Sequence, residues 1–423
     1  MRQFKIFGFF ILFSCWATRV GGGEISGGSD ASEDPTSLEL RLDEIADAVK
    51  RRHPDLKMAR WLVEEAKGRL QAAGKLQNPR LVTSFQSDSR AYENQGSFGL
   101  NQAFPLAGRL RWEKKVDAAL VEAAEFEVND VARRLVSEAK RLAVRILAIE
   151  AEQRLRAKQL ELAQAFARTV SELVERAESS VLDLGQAKLE ETGLALELHH
   201  LDHEAKGLYG KLKTALGVPP ECELRLAGGL PEPVAVLLDS LTTSSRPDLA
   251  GLVRQAEAAE HEIRLAKSNR WQDVTLGVFA NVAREEDRPV GIENEERIGL
   301  QLSVPLPVWR RNQGLITEKT AKAARLKQAV EAKENEIRNA IVASLEVMNT
   351  LAHHANEVKE ELLPEAMRQL VHFEQAYRQG QLGIDVIIRA RKQVVEMELK
   401  HVEAIEDYHL QRVEYETARG EFD

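Results

Sequence analysis

The stretch LNQAFPLAGR, residues 100–109, alternates apolar and polar side chains, stops at Pro105 and leads into a long helical sequence. The chain later reads LQLSVPLPVW, residues 300–309, with Pro305 in the position of Pro105. Alternation with a period of two predicts a half-buried strand, and proline is tolerated where a strand ends. Proline also suits the first turn of a helix. The sequence therefore predicts two transitions from a strand to a helix.

The repeat begins well upstream of these strands. RHPDLKMARW, residues 52–61, matches SRPDLAGLVR, residues 245–254, at an offset of 193, whereas the offset between the two strand-end prolines is 200. We expect the additional residues in 283–296, the longer counterpart of 88–96, because both segments are polar and turn-rich and loop tips tolerate insertions. Each half is predicted to run helix, strand, loop, strand, long helix, turn and helix, so the chain is an internal repeat.

The composition limits the class of protein. The chain has 423 residues, of which 30% are charged and 5% aromatic, and a formal net charge of −9. This balance suits long solvated helices better than a compact enzyme core. A nucleic-acid partner would need a basic face, so the acidic net charge argues against one.

Residues 1–20 have the features of a secretion signal, with basic residues before an apolar core too short to span a bilayer. LFSC, which ends at Cys15, is similar to a lipoprotein cleavage box, so Cys15 is a candidate for lipidation. The alternative is ordinary cleavage within ATRVGGGE, which would remove Cys15. Residues 21–37 are predicted to be a flexible linker. In either case Cys222 has no partner for an intrachain disulfide.

Four strands are predicted, near residues 80–88, 96–106, 272–283 and 296–306. In the second half the alternation separates an apolar face from a mostly polar one, whereas in the first half Gln102 interrupts the apolar face. Segments of about ten residues are long enough to cross an outer membrane when tilted. The apolar face of the second half consists of Val274, Leu276, Val278, Ala280, Val282, Ile298, Leu300, Leu302, Val304 and Leu306.

Long helices are predicted after both prolines. Apolar residues recur there at spacings of three and four, which is typical of helices that pack along their length, and Pro364 is expected to kink or end the second one. The first seam is Val131, Leu135, Ala139, Leu142, Ile146 and Ile149, and the second is Ile337, Ile341, Leu345, Met348 and Ala352. The predicted order is a first repeat at 38–217 with its helix hairpin at 107–217, a connecting segment at 218–244, and a second repeat at 245–422 with long helices at 308–378 and 384–421.

Four amphipathic strands cannot close a barrel, and an open sheet would leave hydrogen-bonding edges exposed. Several copies that contribute strands to one barrel would remove these edges, and in lipid such closure is compulsory. The apolar face would then contact lipid. An alternative of another class is a soluble periplasmic coiled-coil adaptor protein. Such adaptors form one long hairpin, whereas this chain repeats a whole unit of strands and helices, and membrane fractionation would distinguish the two.

The sequence contains the HPDL and RPDL helix starts, the LNQAFPL and LQLSVPL strand ends, and QAYRQGQLGIDVI at 375–387. In these motifs it resembles the TolC-like outer-membrane efflux proteins, and the resemblance extends over residues 38–422. The resemblance implies a homotrimer with a twelve-stranded barrel in outer-membrane lipid and a helical tunnel in the periplasm of a Gram-negative-type bacterium. It implies no enzymatic activity. It also implies a periplasmic adaptor and an inner-membrane pump of the RND type, in the heavy-metal or multidrug branch. A channel for type I protein secretion is the alternative within the same fold.

The helix turns at the periplasmic tip are the predicted contact with the adaptor, because QLGID resembles the tip motif of the family. The predicted adaptor-contact residues are Val181, Leu182, Leu382, Gly383 and Ile384. Asp183 and Asp385 follow the turns, and a threefold axis would gather each into a carboxylate ring that attracts cations. The alternative role for both is an ordinary first-turn or N-cap aspartate.

Residues with catalytic or metal-binding spacing are few. The sequence has no phosphate-binding glycine loop before a helix, no HExxH motif and no cysteine-rich zinc spacing. His199 and His203 are four residues apart on one predicted helix face, an arrangement that can hold a metal ion. A solvated polar stripe explains them equally simply, so we predict no metal site and no cofactor.

Overall fold

The structure, a computed structural model, describes residues 37–87, 94–237, 246–287, 291–379 and 381–421. These residues are mostly helical, and their strands form one two-stranded and one four-stranded sheet. This confirms the predicted α+β class with four long strands and long helices in two repeats. The signal segment with Cys15 and nearly all of the predicted linker lie outside the described residues.

The first repeat begins with a short strand and two helices that meet at His53. The Asp55 amide donates a hydrogen bond to His53 Nδ1 at 3.1 Å, which caps the second helix at Pro54. Proline fits this position because first-turn amides have no partner within the helix. The elements are β1 (Ser37–Leu40), α1 (Ile45–Arg52), α2 (Pro54–Ala72), β2 (Arg80–Ser87), β3 (Asn94–Phe104), α3 (Arg109–Glu175), α4 (Val181–Leu216) and β4 (Glu223–Leu226).

The second repeat has the order of α2 to α4, without counterparts of β1, α1 and β4 among the described residues, and its long helix contains a π-helical turn. The elements are α5 (Pro247–Ser268), β5 (Val274–Asp287), β6 (Gly291–Ser303), α6 (Gln313–Glu357), the π turn (Val358–Leu362), α7 (Leu363–Arg378) and α8 (Ile384–Arg419). Pro364 therefore does not end the helix. Proline clashes with a regular preceding turn, and the wider turn, in which the Leu363 amide donates to the Val358 carbonyl, lies directly before it.

The four long strands form one antiparallel sheet in the order β2-β3-β5-β6. Strand β3 pairs with β5, so the two hairpins join into one surface, with Leu100 opposite Val278. The outer strands β2 and β6 run in opposite directions, because each of the three pairings is antiparallel. The short strands β1 and β4 pair in parallel in the separate small sheet, with Leu40 opposite Leu226.

The core lies between the long helices. The second predicted seam is buried throughout, from Ile337 to Ala352. The first seam is buried at Ala139, Ile146 and Ile149 but only partly at its other positions. Helix α3 packs against α2, α4, α5 and α8, so it buries a wider surface than one narrow seam. No helix within the described ranges combines the length and apolar character needed to cross a membrane.

Several expectations from the sequence are wrong in detail. Residues 283–296, predicted to be a loop, lie mostly in strands, because β5 continues to Asp287 and β6 begins at Gly291. The added residues therefore lengthen the second hairpin. The strand-end prolines do not open the helices: Pro105 precedes the start of α3 by four residues and Pro305 precedes that of α6 by eight. Two short strands, β1 and β4, were not expected. β4 lies in the predicted connecting segment, whereas β1 begins at Ser37, the last residue of the predicted linker, and continues into the predicted first repeat.

Candidate membrane sheet and helix-tip sites

One face of the four-stranded sheet is apolar and exposed. Leu100, Val278 and Leu300 form a row across three strands, and all three side chains are exposed. Gln102 interrupts this face, but its Nε2 donates hydrogen bonds to the Gln77 and Ala103 carbonyls, both at 2.9 Å. A contiguous apolar surface of this kind marks contact with a membrane or another protein. The other exposed members are Leu81, Phe85, Phe98, Phe104, Leu276, Val282, Ile298 and Leu302.

The opposite face of the sheet is polar and rich in glycine. Ser84 Oγ and Ser97 Oγ are 2.6 Å apart across β2 and β3. The ring of Phe279 lies over Gly299, its cross-strand partner, where an added Cβ would overlap the ring. The Asn101 side chain covers Gly277 in the same way. The two faces therefore differ as the alternation in the sequence predicts.

The first helix turn, between α3 and α4, exposes two apolar residues. The Glu178 amide donates to the Leu173 carbonyl at 2.8 Å across Ala177, whose φ of 58° is left-handed. This closes α3 with the hydrogen bonds typical of a helix C-terminus. Val181 and Leu182 then begin α4, and Leu182 is 79% exposed. The structure thus places both predicted adaptor-contact residues at the surface of the turn.

Asp183 belongs to a capping box at the start of α4. Its Oδ2 accepts hydrogen bonds from the Ser180 amide and from Ser179 Oγ, both at 3.1 Å. Ser180 Oγ accepts from the Leu182 amide at 3.1 Å. These contacts support the alternative role of Asp183 as a first-turn capping aspartate. Its membership of a carboxylate ring stays a prediction.

The second helix turn, between α7 and α8, has a different cap. Gly383 is the N-cap of α8 with φ −77° and ψ 161° and has no side-chain hydrogen bond. Its backbone is extended rather than left-handed, so the conformation of this turn does not require glycine. The Gln381 amide donates to the Ala376 carbonyl at 3.0 Å. This hydrogen bond is equivalent to the one from the Glu178 amide to the Leu173 carbonyl in the first turn. Leu382 is partly buried, and Ile384 and Asp385 begin the helix.

The two hairpins lie side by side near their turns. A surface groove there is lined by residues of α3, α4 and α8, among them Leu162, Phe166, Ile387 and Ile388. Glu190 of α4 also lines the groove. Burial raises the pKa of its carboxyl above the ordinary value, and the opposing charge of Lys392 offsets this only in part. The structure therefore brings the predicted tip residues of both repeats to one end of the helices.

The histidine pair of α4 lies in an open surface pocket. His199 and His203 share it with Glu152, Arg156 and Glu197. The part of the chain that the structure describes contains no group of three or more histidine, cysteine or carboxylate side chains placed to hold a metal ion. The geometry of the pair fits a solvated polar stripe.

A buried ionic cluster at the RPDL motif was not predicted. Asp248 pairs with Arg246 at 2.6 Å and lies 4.0 Å from Arg133 and 3.4 Å from Lys333. Both arginines also donate to carbonyls near the end of α8, Arg246 to Ala418 and Arg133 to Thr417. The cluster therefore joins α3, α5, α6 and α8. Its only local signal is the arginine two residues before the aspartate, which the HPDL motif lacks.

No protein-family model and no curated protein matches the sequence of this chain. Several solved structures match its fold. CusC, whose crystal structures concern transmembrane channel formation, is 15% identical with a TM-score of 0.74, over 91% of this chain and 93% of that chain. The CmeC outer membrane channel of Campylobacter jejuni is 13% identical with a TM-score of 0.71, over 90% and 85%. The outer membrane protein VceC of Vibrio cholerae is 17% identical with a TM-score of 0.70, over 90% and 96%. These similarities confirm the predicted TolC-like fold.

Proposed function

We propose that the chain is the outer-membrane channel of a tripartite efflux system in a Gram-negative-type bacterium. One observation carries this proposal: an antiparallel sheet with one exposed apolar face is joined directly to helices far longer than the sheet. Helix α3 has 67 residues, which corresponds to about 100 Å at 1.5 Å per residue. A sheet that contacts lipid and helices of this length together suit a duct from a membrane into the periplasm.

The edges of the sheet support assembly into a homotrimer. The outer strands β2 and β6 run in opposite directions, so β6 of one copy can pair antiparallel with β2 of the next. Three copies of the four-stranded sheet would give twelve strands. In lipid an unpaired strand edge costs several kcal/mol for each unsatisfied backbone group, by rough estimate. Closure by copies removes this cost, and the apolar face then contacts lipid.

The channel acts as a passive conduit without a catalytic site. Energy comes from an inner-membrane pump, and a periplasmic adaptor joins the pump to the helix tips. The contact residues are Val181, Leu182, Leu382, Gly383 and Ile384. Exposed apolar side chains at the first turn support this role, because they are costly in water unless a partner covers them.

The assembly is tested by the mass of the detergent-extracted protein. We expect light scattering to give three times the 47.3 kDa of the full chain, less any signal segment removed. The trimer should resist dilution, because each separated copy would expose two strand edges. A folded monomer at the same detergent concentration would contradict the closed barrel.

The tip is tested by Gly383→Arg. We expect this variant to abolish efflux while the trimer persists, because three symmetry-related arginines would place unpaired charge in a docking surface, at a cost of several kcal/mol by rough estimate. The extended backbone at Gly383 accepts any L-residue, so Gly383→Ser is the matched control and should keep efflux. The readouts are resistance of a channel-deleted strain and trimer level in outer-membrane fractions. Normal resistance with Gly383→Arg would remove this residue from the contact.

Lipidation at Cys15 is a separate proposal, which rests on the LFSC motif alone. Mass spectrometry of the mature N-terminus should then find a lipid-modified Cys15. A mature chain that begins beyond this residue would contradict it, and would leave the channel proposal unaffected.

A further inference from the structure

The two strand-to-helix connections differ in length. In the first repeat Gly108, the N-cap of α3, lies three positions after Pro105. In the second repeat Asn312, the N-cap of α6, lies seven positions after Pro305. The second connection therefore contains four additional residues. We call residues 306–311, with the sequence LPVWRR, the rim segment. It lies at the end of the sheet from which the long helices leave.

The rim segment continues the apolar face of β6. Alternate side chains along this strand are exposed and apolar, from Ile298, at 85% exposure, through Leu300 and Leu302. The same pattern continues beyond the strand, where Val304, Leu306 and Val308 are also exposed. Trp309 follows and is 92% exposed. An apolar strand face that ends in tryptophan is the arrangement found where a membrane protein crosses from lipid tails to headgroups.

The two arginines of the rim segment are available for a partner. Arg310 and Arg311 are exposed, and within the described ranges neither forms a hydrogen bond or an ion pair. Arg109, at the start of α3 in the first repeat, differs, because it binds Asp273 at 2.7 Å and Glu113 at 3.2 Å. The second connection thus presents two guanidinium groups without protein anions, and guanidinium forks match phosphate oxygens.

The rim segment is held in place rather than only tethered. Asn312, the residue directly after the rim segment, has a left-handed φ of 59° and donates from Nδ2 to the Ala266 carbonyl at 2.8 Å. This hydrogen bond fixes the C-terminal end of the segment. The Val308 amide donates to the Leu306 carbonyl at 2.9 Å. A second exposed tryptophan, Trp271, precedes β5 at the same end of the sheet, since Thr275 pairs with Ser303. Aromatic and basic groups therefore occur together at one rim.

We propose that the rim segment is a binding site for anionic phospholipid headgroups, with Trp309 at the level of the headgroups and Arg310 and Arg311 on the phosphates. This inference rests on the proposed membrane channel. Each basic side chain near an anionic lipid surface strengthens binding about fivefold, and salt weakens this attraction. The site would select phosphatidylglycerol-type lipids from the surrounding bilayer.

Fluorescence quenching in vesicles tests the proposal. The protein is inserted into vesicles of equal parts phosphatidylglycerol and phosphatidylethanolamine, with bromine on the acyl chains of one lipid or the other. The Trp309 signal is the difference between the wild-type protein and Trp309→Phe. We expect stronger quenching by brominated phosphatidylglycerol, and a preference that falls about fivefold in Arg310→Gln and again in the double variant with Arg311→Gln. Arg154→Gln combined with Arg338→Gln removes two exposed arginines from α3 and α6 and should leave the preference unchanged.

The other outcomes overturn the inference at distinguishable steps. Equal quenching by both lipids would show that Trp309 contacts lipid but that the arginines do not select headgroups. Absence of quenching in an inserted trimer would show that another copy or the aqueous interior covers the rim segment. A wild-type chain that floats with neither vesicle would overturn the channel function itself, together with this site.

Discussion

The two PDL motifs begin equivalent helices but lie in different surroundings. Leu56 and Leu249 are both buried, and Pro54 and Pro247 both occupy the first helical turn. In the first repeat the aspartate, Asp55, is exposed and its amide is capped locally by His53. The short motif therefore determines where each helix begins.

In the second repeat the aspartate is part of the buried cluster. Burial raises the pKa of Asp248, but hydrogen bonds and charge from Arg246, with Arg133 and Lys333, outweigh it and hold the pKa below its ordinary value. Arg246 and Arg133 are themselves buried. The same Pro-Asp-Leu sequence thus forms an exposed helix start in one repeat and a junction of four helices in the other. The difference comes from the residues that pack against it in the folded chain.

Asp248→Ala should have the largest effect on this comparison. Removal of the carboxylate leaves Arg246 buried without its charge partner, so we expect a loss of about 3 kcal/mol in the free energy of unfolding. The matched variant Asp55→Ala should lose less than about 1 kcal/mol, because only an exposed first-turn charge is removed. Urea unfolding of the trimer, followed by far-UV circular dichroism, measures both. Equal losses would show that the cluster does not distinguish the repeats.

The contribution of Asp248 to the free energy of unfolding also depends on pH. Because the pKa of Asp248 is lowered in the folded chain, its stabilisation is fully present above the ordinary value of 3.8. It is lost as the pH falls through the folded value. The wild type should therefore lose more stability on acidification below this value than Asp248→Ala does.

The two hairpins offer a second contrast, in their glycines. Gly299 on β6 lies under the Phe279 ring, whereas no atom of the described residues lies within 4 Å of a Cβ at Gly96 on β3. An aromatic ring that covers a glycine on the neighbouring strand stabilises a sheet. We expect Gly299→Val to displace the ring and cost about 1–3 kcal/mol, and Gly96→Val to be nearly neutral. The fraction of heat-resistant trimer on gels would report both, and a normal trimer with Gly299→Val would contradict the close packing.

How far the sequence predicts this fold depends on how local the signal is. The period-two pattern from Val274 to Val282 and the seam from Ile337 to Ala352 lie within single elements, and the structure confirms both. The segment 283–296 was predicted to be a loop because it is polar and turn-rich, although most of it continues the β5–β6 ladder. Strands β1 and β4 have four residues each, and their pairing across the first repeat leaves no periodic signal.

The candidate sites show the same limit. The turn that carries Gly383 was predicted between the long helices 308–378 and 384–421, and its contact role follows from the resemblance of QLGID to the family's tip motif. The capping hydrogen bonds of Asp183 were foreseen only as an alternative, since a first-turn aspartate has the same sequence whether it caps a helix or lines a pore. The Asp248 cluster was missed because Arg133 comes from a helix in the other repeat, and single-sequence periodicity contains no information on such contacts.

The caps of the two tips provide a third, smaller test. Ser180 accepts a hydrogen bond from the Leu182 amide, whereas Gly383 has no side chain to do so at the equivalent N-cap. Ser180→Ala should therefore destabilise the start of α4 by about 1 kcal/mol, and Gly383→Ser should stabilise that of α8 by a few tenths. Amide hydrogen exchange at the two turns measures these local changes. Faster exchange at α8 in Gly383→Ser would contradict the proposed cap.

The smallest expected effect is a pH-dependent change in stability caused by Glu406 of α8. The position at the same distance from the N-cap of α4 is His203. His203 lies 23 residues after Ser180 and is exposed, whereas Glu406 lies 23 residues after Gly383 and is partly buried. Burial, helped by Asp407, Glu204 and Glu403 and opposed by Arg145, raises the pKa of Glu406 to about 7.

Between the ordinary value of 4.5 and about 7, the folded chain then holds a proton on Glu406 that the unfolded chain has lost. Stability therefore falls as the pH rises through this window. Glu406→Gln should match the wild type below the window and exceed it above, by a small amount because solvent screens a half-exposed group. Glu396→Gln, which removes an exposed carboxylate elsewhere on α8 that does not act on Glu406, is the control and should keep the wild-type slope. Urea midpoints between about pH 4 and pH 8 decide the matter: if wild-type and Glu406→Gln midpoints change in parallel, ionisation of Glu406 does not oppose folding.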